Sequence, residues 1–269
     1  MSFDAIDWQR PWLAPFKEKG QQLIQSGDWL ETANQIASQQ DLRTATAHRV
    51  VFVPQQSLAA NVSYEAHIHA SGEVPTRHNL HDFFNTLAWL HFPKIKKTLN
   101  ALHAASQRQV ADSGDTLSTL GTRGHARDAA TLFDENAALF VCSDQKLAEA
   151  LREHRWAYLL QRSPEAFFQN TDVVLFGHAL IEKLVRPYKA ITAHVWITMV
   201  DPDWFKSGEA RRIVDLDCRI AAAISDGFLS DDFAHLPVLG VPGWWSVQDE
   251  DFYKDSSVFR APRTKPVAP

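Results

Sequence analysis

The hydrophobic pattern of this chain switches between two periods, and it does so without a regular beat. In ITAHVWITMV, residues 191–200, Ile191, Ala193, Val195, Ile197 and Met199 share one face, while Thr192, His194, Trp196 and Thr198 share the other. That is the period-two signature of a strand. RVVFV (49–53), which runs into Pro54, and VVLFG (173–177) read as short buried strands. Segments of helical period lie at 16–26, 28–40, 94–107, 144–160, 163–169, 178–186 and 208–225. Strands and helices do not alternate steadily, and no glycine-rich loop follows a strand, so a doubly wound parallel sheet is not expected. The expectation is a helix-rich α+β fold with a small central sheet, its strands near 49–53, 130–142, 172–176 and 191–200.

Residues 1–269 are expected to form one unit with three irregular parts: an N-terminal arm over 1–15, a long polar loop over 108–126 and a tail over 246–269. TLFDENAALFVC (131–142) reads as a hairpin with Asp134, Glu135 and Asn136 at its tip. The segment 64–71 fits neither period well, and Gly72 with Pro75 forces a turn after it.

Bulk numbers narrow the partners. At 269 residues, 45% hydrophobic and 22% charged, the chain can bury a sizeable core. A net charge of −5 argues against coating nucleic acid, so nucleic acid is not a favoured partner. Cys142 and Cys218 are far apart and form no CxxC pair, which points to reduced thiols. The start, MSFDAIDWQRPW, has neither a basic nor an apolar signal region, and no apolar run reaches membrane-spanning length. A cytoplasmic protein without membrane contact is expected.

The stretch RHNLHDFFNTLAWLHFPK, residues 77–94, concentrates reactive side chains. Wound as one helix from His78, it places His78, His81, Asp82, Asn85 and Trp89 on one stripe, with Leu80, Phe83, Phe84, Leu87, Leu90 and His91 opposite. A solvated stripe ordinarily carries lysine and glutamate, and this one has neither. Imidazole and carboxylate at i, i+3 and i+4 can converge on one ion, so His78, His81 and Asp82 are candidate metal ligands. The same groups also suit a hydrogen-bonded semi-buried face. The dipeptide His81-Asp82 is shared with HD-type phosphohydrolases, but the strands here argue against their all-helical body.

GHALIEKLVRP (177–187) holds His178 and Glu182 one turn apart on a helix with apolar residues on both sides. This pair either stabilises itself by hydrogen bonding or completes a site as acid and base. His194 reads as one polar point on a mixed strand face. Asp134 and Glu135 read as solvated turn residues. Lys94, Lys96, Lys97, His103 and Arg108 read as an exposed basic helix face, or as a phosphate-facing wall. No GxSxG or HExxH sequence occurs, and both cysteines look like packed thiols.

Four stretches, VPTRHNLHDFFNTLAWLHFPKIKKTLN, RDAATLFDENAALFV, LFGHALIEKLVRPYKAITAH and LPVLGVPGWW, resemble in order the bacterial domain-of-unknown-function family 3025. The resemblance runs from about Val50 to Arg260 and implies a single family-wide unit. It implies no activity, cofactor or catalytic residue.

Side-chain chemistry therefore carries the functional expectation. It is a metal-assisted hydrolase acting on a phosphate ester or similar small substrate bound in a cleft. His78, His81 and Asp82 would hold a divalent ion (Zn, Mn or Fe), His178 and Glu182 would complete the sphere or act as acid and base, and Asn85 would orient water or ligand. The alternative is a non-catalytic module with an aromatic-lined groove for peptide or nucleic acid, supplied by nine Trp, sixteen Phe and the GWW tail.

Overall fold

The computed structural model describes residues 3–112, 117–225, 227 and 233–262, with no side chain described over 107–125. Two 3-10 turns, Phe3–Ala5 and Pro11–Phe16, lead into helices α1 (Lys17–Gln25) and α2 (Trp29–Gln39). Asp28 starts α2 by accepting the Glu31 amide. Strand β1 (Val51–Pro54) follows, then α3 (Tyr64–Ser71), β2 (Glu73–Thr76), α4 (Leu80–His91), α5 (Pro93–Asp112) and α6 (Leu117–Asn136). The rest runs β3 (Ala137–Cys142), α7 (Gln145–Arg152), α8 (Trp156–Leu160), α9 (Pro164–Phe168), β4 (Thr171–Leu175), α10 (His178–Lys183), β5 (Thr192–Met199), α11 (Glu209–Ser225), β6 (Ala234–Pro237) and α12 (Glu250–Lys254).

The fold is α+β. A four-stranded sheet of order β4-β3-β5-β6 sits at its centre, with β3 antiparallel to β4 and parallel to β5. β3 is buried at all six positions, AALFVC, because it has a strand on each side and packed layers on both faces. β1 does not join this sheet. It pairs with β2 in a separate two-stranded parallel ribbon, and the Asn34 side chain on α2 exchanges two hydrogen bonds with the Phe52 main chain of β1 (2.9 and 2.7 Å). Gly72, at φ +82, ends α3 in the left-handed region, and a Cβ there would lie 2.1 Å from the Arg49 carbonyl oxygen.

The 49–53 strand, expected in the central sheet, lies outside it, and three further sequence expectations change here. The 131–142 hairpin is instead the end of α6 followed directly by β3. Ala129, Ala130 and Phe133 are buried at helical spacing, and Asp134, Glu135 and Asn136 close a helix instead of tipping a hairpin. Helical backbone of α5 and α6 covers most of the expected 108–126 loop, whose residues 113–116 lie outside the described residues. In the tail, α12 starts on Asp249, which accepts the Phe252 amide; residues 263–269 lie outside the described residues.

The arm docks through its aromatics: Trp12 is buried against Trp244, and the Trp8 ring lies over Gly20. The core is rich in paired rings, with Phe176 meeting both Phe92 and Phe133, and Phe133 stacking on Phe233. Among the described residues, no helix is long and apolar enough to cross a membrane.

Candidate metal centre

Three elements meet at the site: the first turn of α4, the last turn of α6 and the short α10. Their approach depends on Gly177. Its φ of −59 and ψ of 116 are open to any residue, so the requirement is steric. A Cβ at 177 would stand 2.4 Å from the Ala137 nitrogen, 2.5 Å from the Asn136 nitrogen and 2.6 Å from the Glu135 carbonyl carbon. Glycine lets the end of β4 lie against the α6–β3 junction, where the Phe176 and Gly177 amides both donate to the Ala137 carbonyl (3.0 and 2.9 Å). His178 is thereby brought against Asp134 and Glu135.

His81 and His178 face each other with their Nε2 atoms 3.1 Å apart. Glu135 Oε2 lies 3.5 Å from His178 Nε2. Ligand atoms of His81, Glu135 and His178 all lie within 4.8 Å of one another, so this trio could hold a metal ion. Tetrahedral ligands at zinc distances of 2.0–2.1 Å stand about 3.3 Å apart, and the two measured separations bracket that edge. The outward Nδ1 atoms both face carboxylates. His81 Nδ1 is 3.0 Å from Glu182 Oε2. His178 Nδ1 lies 3.9 Å from Asp134 Oδ2, is buried, and has no hydrogen bond of ordinary geometry. A histidine whose Nδ1–H is held by a carboxylate presents a bare Nε2 lone pair, the arrangement of metal-bound histidines.

Electrostatics favour neutral imidazole. Burial lowers the His178 pKa to about 4 against the opposing pull of Asp134, with Lys96 and His81 adding to the lowering. Burial raises Glu135, reinforced by the Asp134 charge, so an added cation would stabilise its ionised form. For Asp134, burial works against ionisation, but Lys96 and then His178 outweigh it and its pKa is lowered.

Behind His178 lies a closed polar network. Lys96 Nζ, buried over the Trp89 ring, donates to both Asp134 oxygens (2.6 and 2.8 Å) and to Asn85 Oδ1 (2.9 Å). Asn85 Nδ2 in turn donates to the Tyr64 hydroxyl (3.1 Å). Tyr64 is partly exposed as a residue, but burial of its hydroxyl end, followed by the charges of Glu65, Asp82 and Asp134, raises its pKa well above the usual phenol value.

Of the expected ligand trio, only His81 reaches the site. α4 begins at Leu80 and Asn79 is extended (φ −146), so His78 precedes the helix and the one-helix stripe does not apply to it. Its Nδ1 accepts from Trp29 Nε1 at 2.9 Å, and its ring packs on Phe3. Asp82 is occupied by Arg77, whose amide donates to Oδ2 (2.6 Å) and whose guanidinium grips both oxygens (3.0 and 2.9 Å). Asn79 Oδ1 accepts the Asp82 amide (2.8 Å), so these residues build the start of α4. Glu182 bonds His81 and not His178, and Asn85 serves the Lys96 network. The supposed polar stripe is interior, since α4 is buried from Asp82 to His91.

Glu135, Asp134 and Lys96 were the missed members. The signal for the acids was the buried spacing of Ala129, Ala130 and Phe133, which makes Asp134 and Glu135 helical and aims them at one place. The basic run does not form a wall: Lys96 and His103 are buried, Lys94 Nζ contacts Cys218 Sγ (2.9 Å), and the Arg108 side chain lies outside the described residues. His194 accepts from Asn136 Nδ2 (3.0 Å), and burial, with His235 and Lys183, lowers its pKa to about 4. A cavity of about 410 Å³ bordered by Trp29, Pro54, Arg77 and His78 opens beside the start of α4; its wall does not include His81, Glu135 or His178.

The fold and site thus define an α+β protein carrying a His-Glu-His cluster able to hold a metal ion. The chain belongs to the family described as Protein of unknown function (DUF3025), whose model matches residues 50–263, a span that contains every member of the cluster. Searches of curated proteins and of solved structures returned no match.

Proposed function

We propose that this protein is a metal-dependent hydrolase whose divalent ion, Zn, Mn or Fe, is held by His81, Glu135 and His178. The observation that carries the reading is the paired geometry of the histidines: Nε2 atoms 3.1 Å apart inside, and carboxylates facing both Nδ1 atoms outside. Two bare lone pairs so close repel unless a proton or a cation lies between them. Three protein ligands leave a fourth position open, the pattern of catalytic rather than structural zinc sites. A bound divalent ion would acidify a water molecule and supply a nucleophile near neutral pH.

The chain's own residues then have separate tasks. Glu182 holds His81 in the tautomer with Nε2 free. Asp134, fixed by Lys96, makes no such bond to His178: its carboxylate stands 3.9 Å from Nδ1, and its charge favours a proton on that side of the ring. Glu182 is partly exposed and stands behind His81, on the side of the ring away from Nε2. A substrate would enter from the side of His81, Glu135 and Glu182, the more exposed members of the cluster.

Elemental analysis of protein purified without a histidine tag tests the reading. One equivalent of metal is expected, lost in both His81→Ala and His178→Ala, together with turnover of an activated ester. Absence of metal that also cannot be restored by titration with Zn2+ or Mn2+ removes it. The aromatic-groove alternative keeps one observation in its favour: Trp244 lines a cavity of about 360 Å³ together with Phe168 and Trp204, and Trp245 borders another of about 480 Å³.

A further inference from the structure

We propose that Lys94 and Cys218 form a reversible oxidation site, where a hydroperoxide converts the thiol to a sulfenic acid and the lysine amine closes on it as a sulfenamide cross-link between α5 and α11. The pair shares no residue with the His81–Glu135–His178 cluster, so the inference stands apart from the metal reading. The sequence suggests two packed thiols, and the structure separates them.

Lys94 Nζ donates to Cys218 Sγ at 2.9 Å, between points 124 residues apart in the chain. An exposed lysine side chain has many rotamers to choose from, so a lasting contact needs a fixed base. Asp217, the chain neighbour of Cys218, supplies it. Its two buried oxygens accept the Lys94 and Ile95 amides at 3.0 and 2.8 Å, which seats the first turn of α5 on α11. Lys94 is exposed and Cys218 is half-buried, so the pair opens to solvent. Cys142 is the internal contrast. It is fully buried in β3, its sulfur lies 3.4 Å from the Met199 sulfur, and burial pushes its thiol up to about 11. A thiol in that setting is inert, whereas Cys218 combines access with a cationic neighbour.

A hydroperoxide is the only co-reactant the chemistry needs. The Cys218 thiolate attacks a peroxide oxygen, the S–O bond forms as the O–O bond breaks, and sulfur gives two electrons to the peroxide. The departing hydroxide or alkoxide takes a proton from the Lys94 ammonium and leaves as water or alcohol. Lys94 is then a neutral amine beside a sulfenic acid. Its nitrogen attacks the sulfur, the S–O bond breaks, and a second water leaves. Because both groups are already in contact, this step is intramolecular. The hydrogen bond to Cys218 holds Lys94 above the ordinary lysine range, and that support for the ammonium form ends once the sulfur is oxidised. An added thiol reverses the link by attacking the sulfur and releasing Lys94. A second thiol then frees Cys218, and the reductant departs as its disulfide.

The test treats the full chain with hydrogen peroxide, digests it and examines the peptides by mass spectrometry. A peptide pair joined through Lys94 and Cys218, lighter than its separate parts by two hydrogens, is expected. Dithiothreitol should remove the link, and Cys142 should stay unmodified. The oxidised protein should also unfold at a higher urea concentration than the reduced one, because the link ties points 124 residues apart. Lys94→Met should lose the cross-link and leave Cys218 as a sulfenic acid that dimedone labels. That variant keeps the seat of α5 on Asp217, which is made by main-chain amides. Cys218 left unmodified, Cys218 carried to sulfinic acid with Lys94 free, or a Lys94→Met protein that gives the same products as its parent would each overturn the inference.

Discussion

Replacing Gly177 by alanine tests the joint on which the site is built. The new methyl would meet three main-chain atoms at 2.4, 2.5 and 2.6 Å, and no flexible side chain is there to swing aside. Ordinary contact begins about 1 Å further out, so β4–α10 and the α6–β3 junction must separate by about that amount. Overpacking against a rigid wall costs on the order of 3 kcal/mol, at the upper end of such insertions. The amides of Phe176 and Gly177 would stretch away from the Ala137 carbonyl at the same time. The same displacement moves His178 from Glu135 and His81, whereas metal ligands tolerate only about 0.2 Å. Urea unfolding should therefore show a midpoint lowered with an unchanged slope. Competition with a chromophoric chelator should show metal affinity reduced more than tenfold. A Gly177→Ala protein that keeps both its midpoint and its affinity would falsify the close approach as the reason for glycine.

Other outcomes follow from neighbouring residues. Glu182→Gln should weaken metal binding by roughly 10–100-fold, the usual effect of losing a carboxylate behind a metal-bound histidine. Its unfolding free energy should change by less than about 1 kcal/mol, because the pair is partly exposed; a large stability loss would assign Glu182 a structural role instead. Asp134→Ala should destabilise by about 3–5 kcal/mol by leaving buried Lys96 unpaired, and Lys96→Met in the same chain should recover much of it; no recovery in the double variant counts against the pair. His91 is buried, and burial followed by the Lys19 charge lowers its pKa to about 4, so the folded form holds it neutral. The unfolded chain binds a proton there near pH 6.5 and the folded chain does not, so stability is present above that pH and is lost as pH falls towards 4. The loss is on the order of 3 kcal/mol. Chemical denaturation between pH 7 and 4 should show it, with a shallower decline in His91→Gln.

How much of the site could be read in advance varies with the kind of residue. His81, His178 and Glu182 stood out because His81 lies on a stripe that lacks lysine and glutamate, and because His178 and Glu182 lie one turn apart on a helix with apolar residues on both sides. His78 and Asp82 stood out for the same reason and were misleading. Their partners, Trp29 and Arg77, are chosen by where a helix starts, and a shift of two residues moves a side chain by more than half a turn. Glu135 looked like a turn residue because three polar letters between apolar runs fit both a hairpin tip and a helix end.

The sequence by itself determined the mixed helix-and-strand class, the apolar character of β3 and the family. Each of these depends on neighbours within a turn or two, or on patterns repeated through the chain. Only the tertiary structure decided which histidines face each other and which carboxylates stand behind them. His81 and His178 are 97 residues apart, and their 3.1 Å separation depends on the absence of one side chain at Gly177 and on the buried Lys96–Asp134 pair. Side-chain chemistry is local and visible in the letters, whereas convergence within a few ångströms is a property of packing, set by contacts between segments that carry no mark of one another.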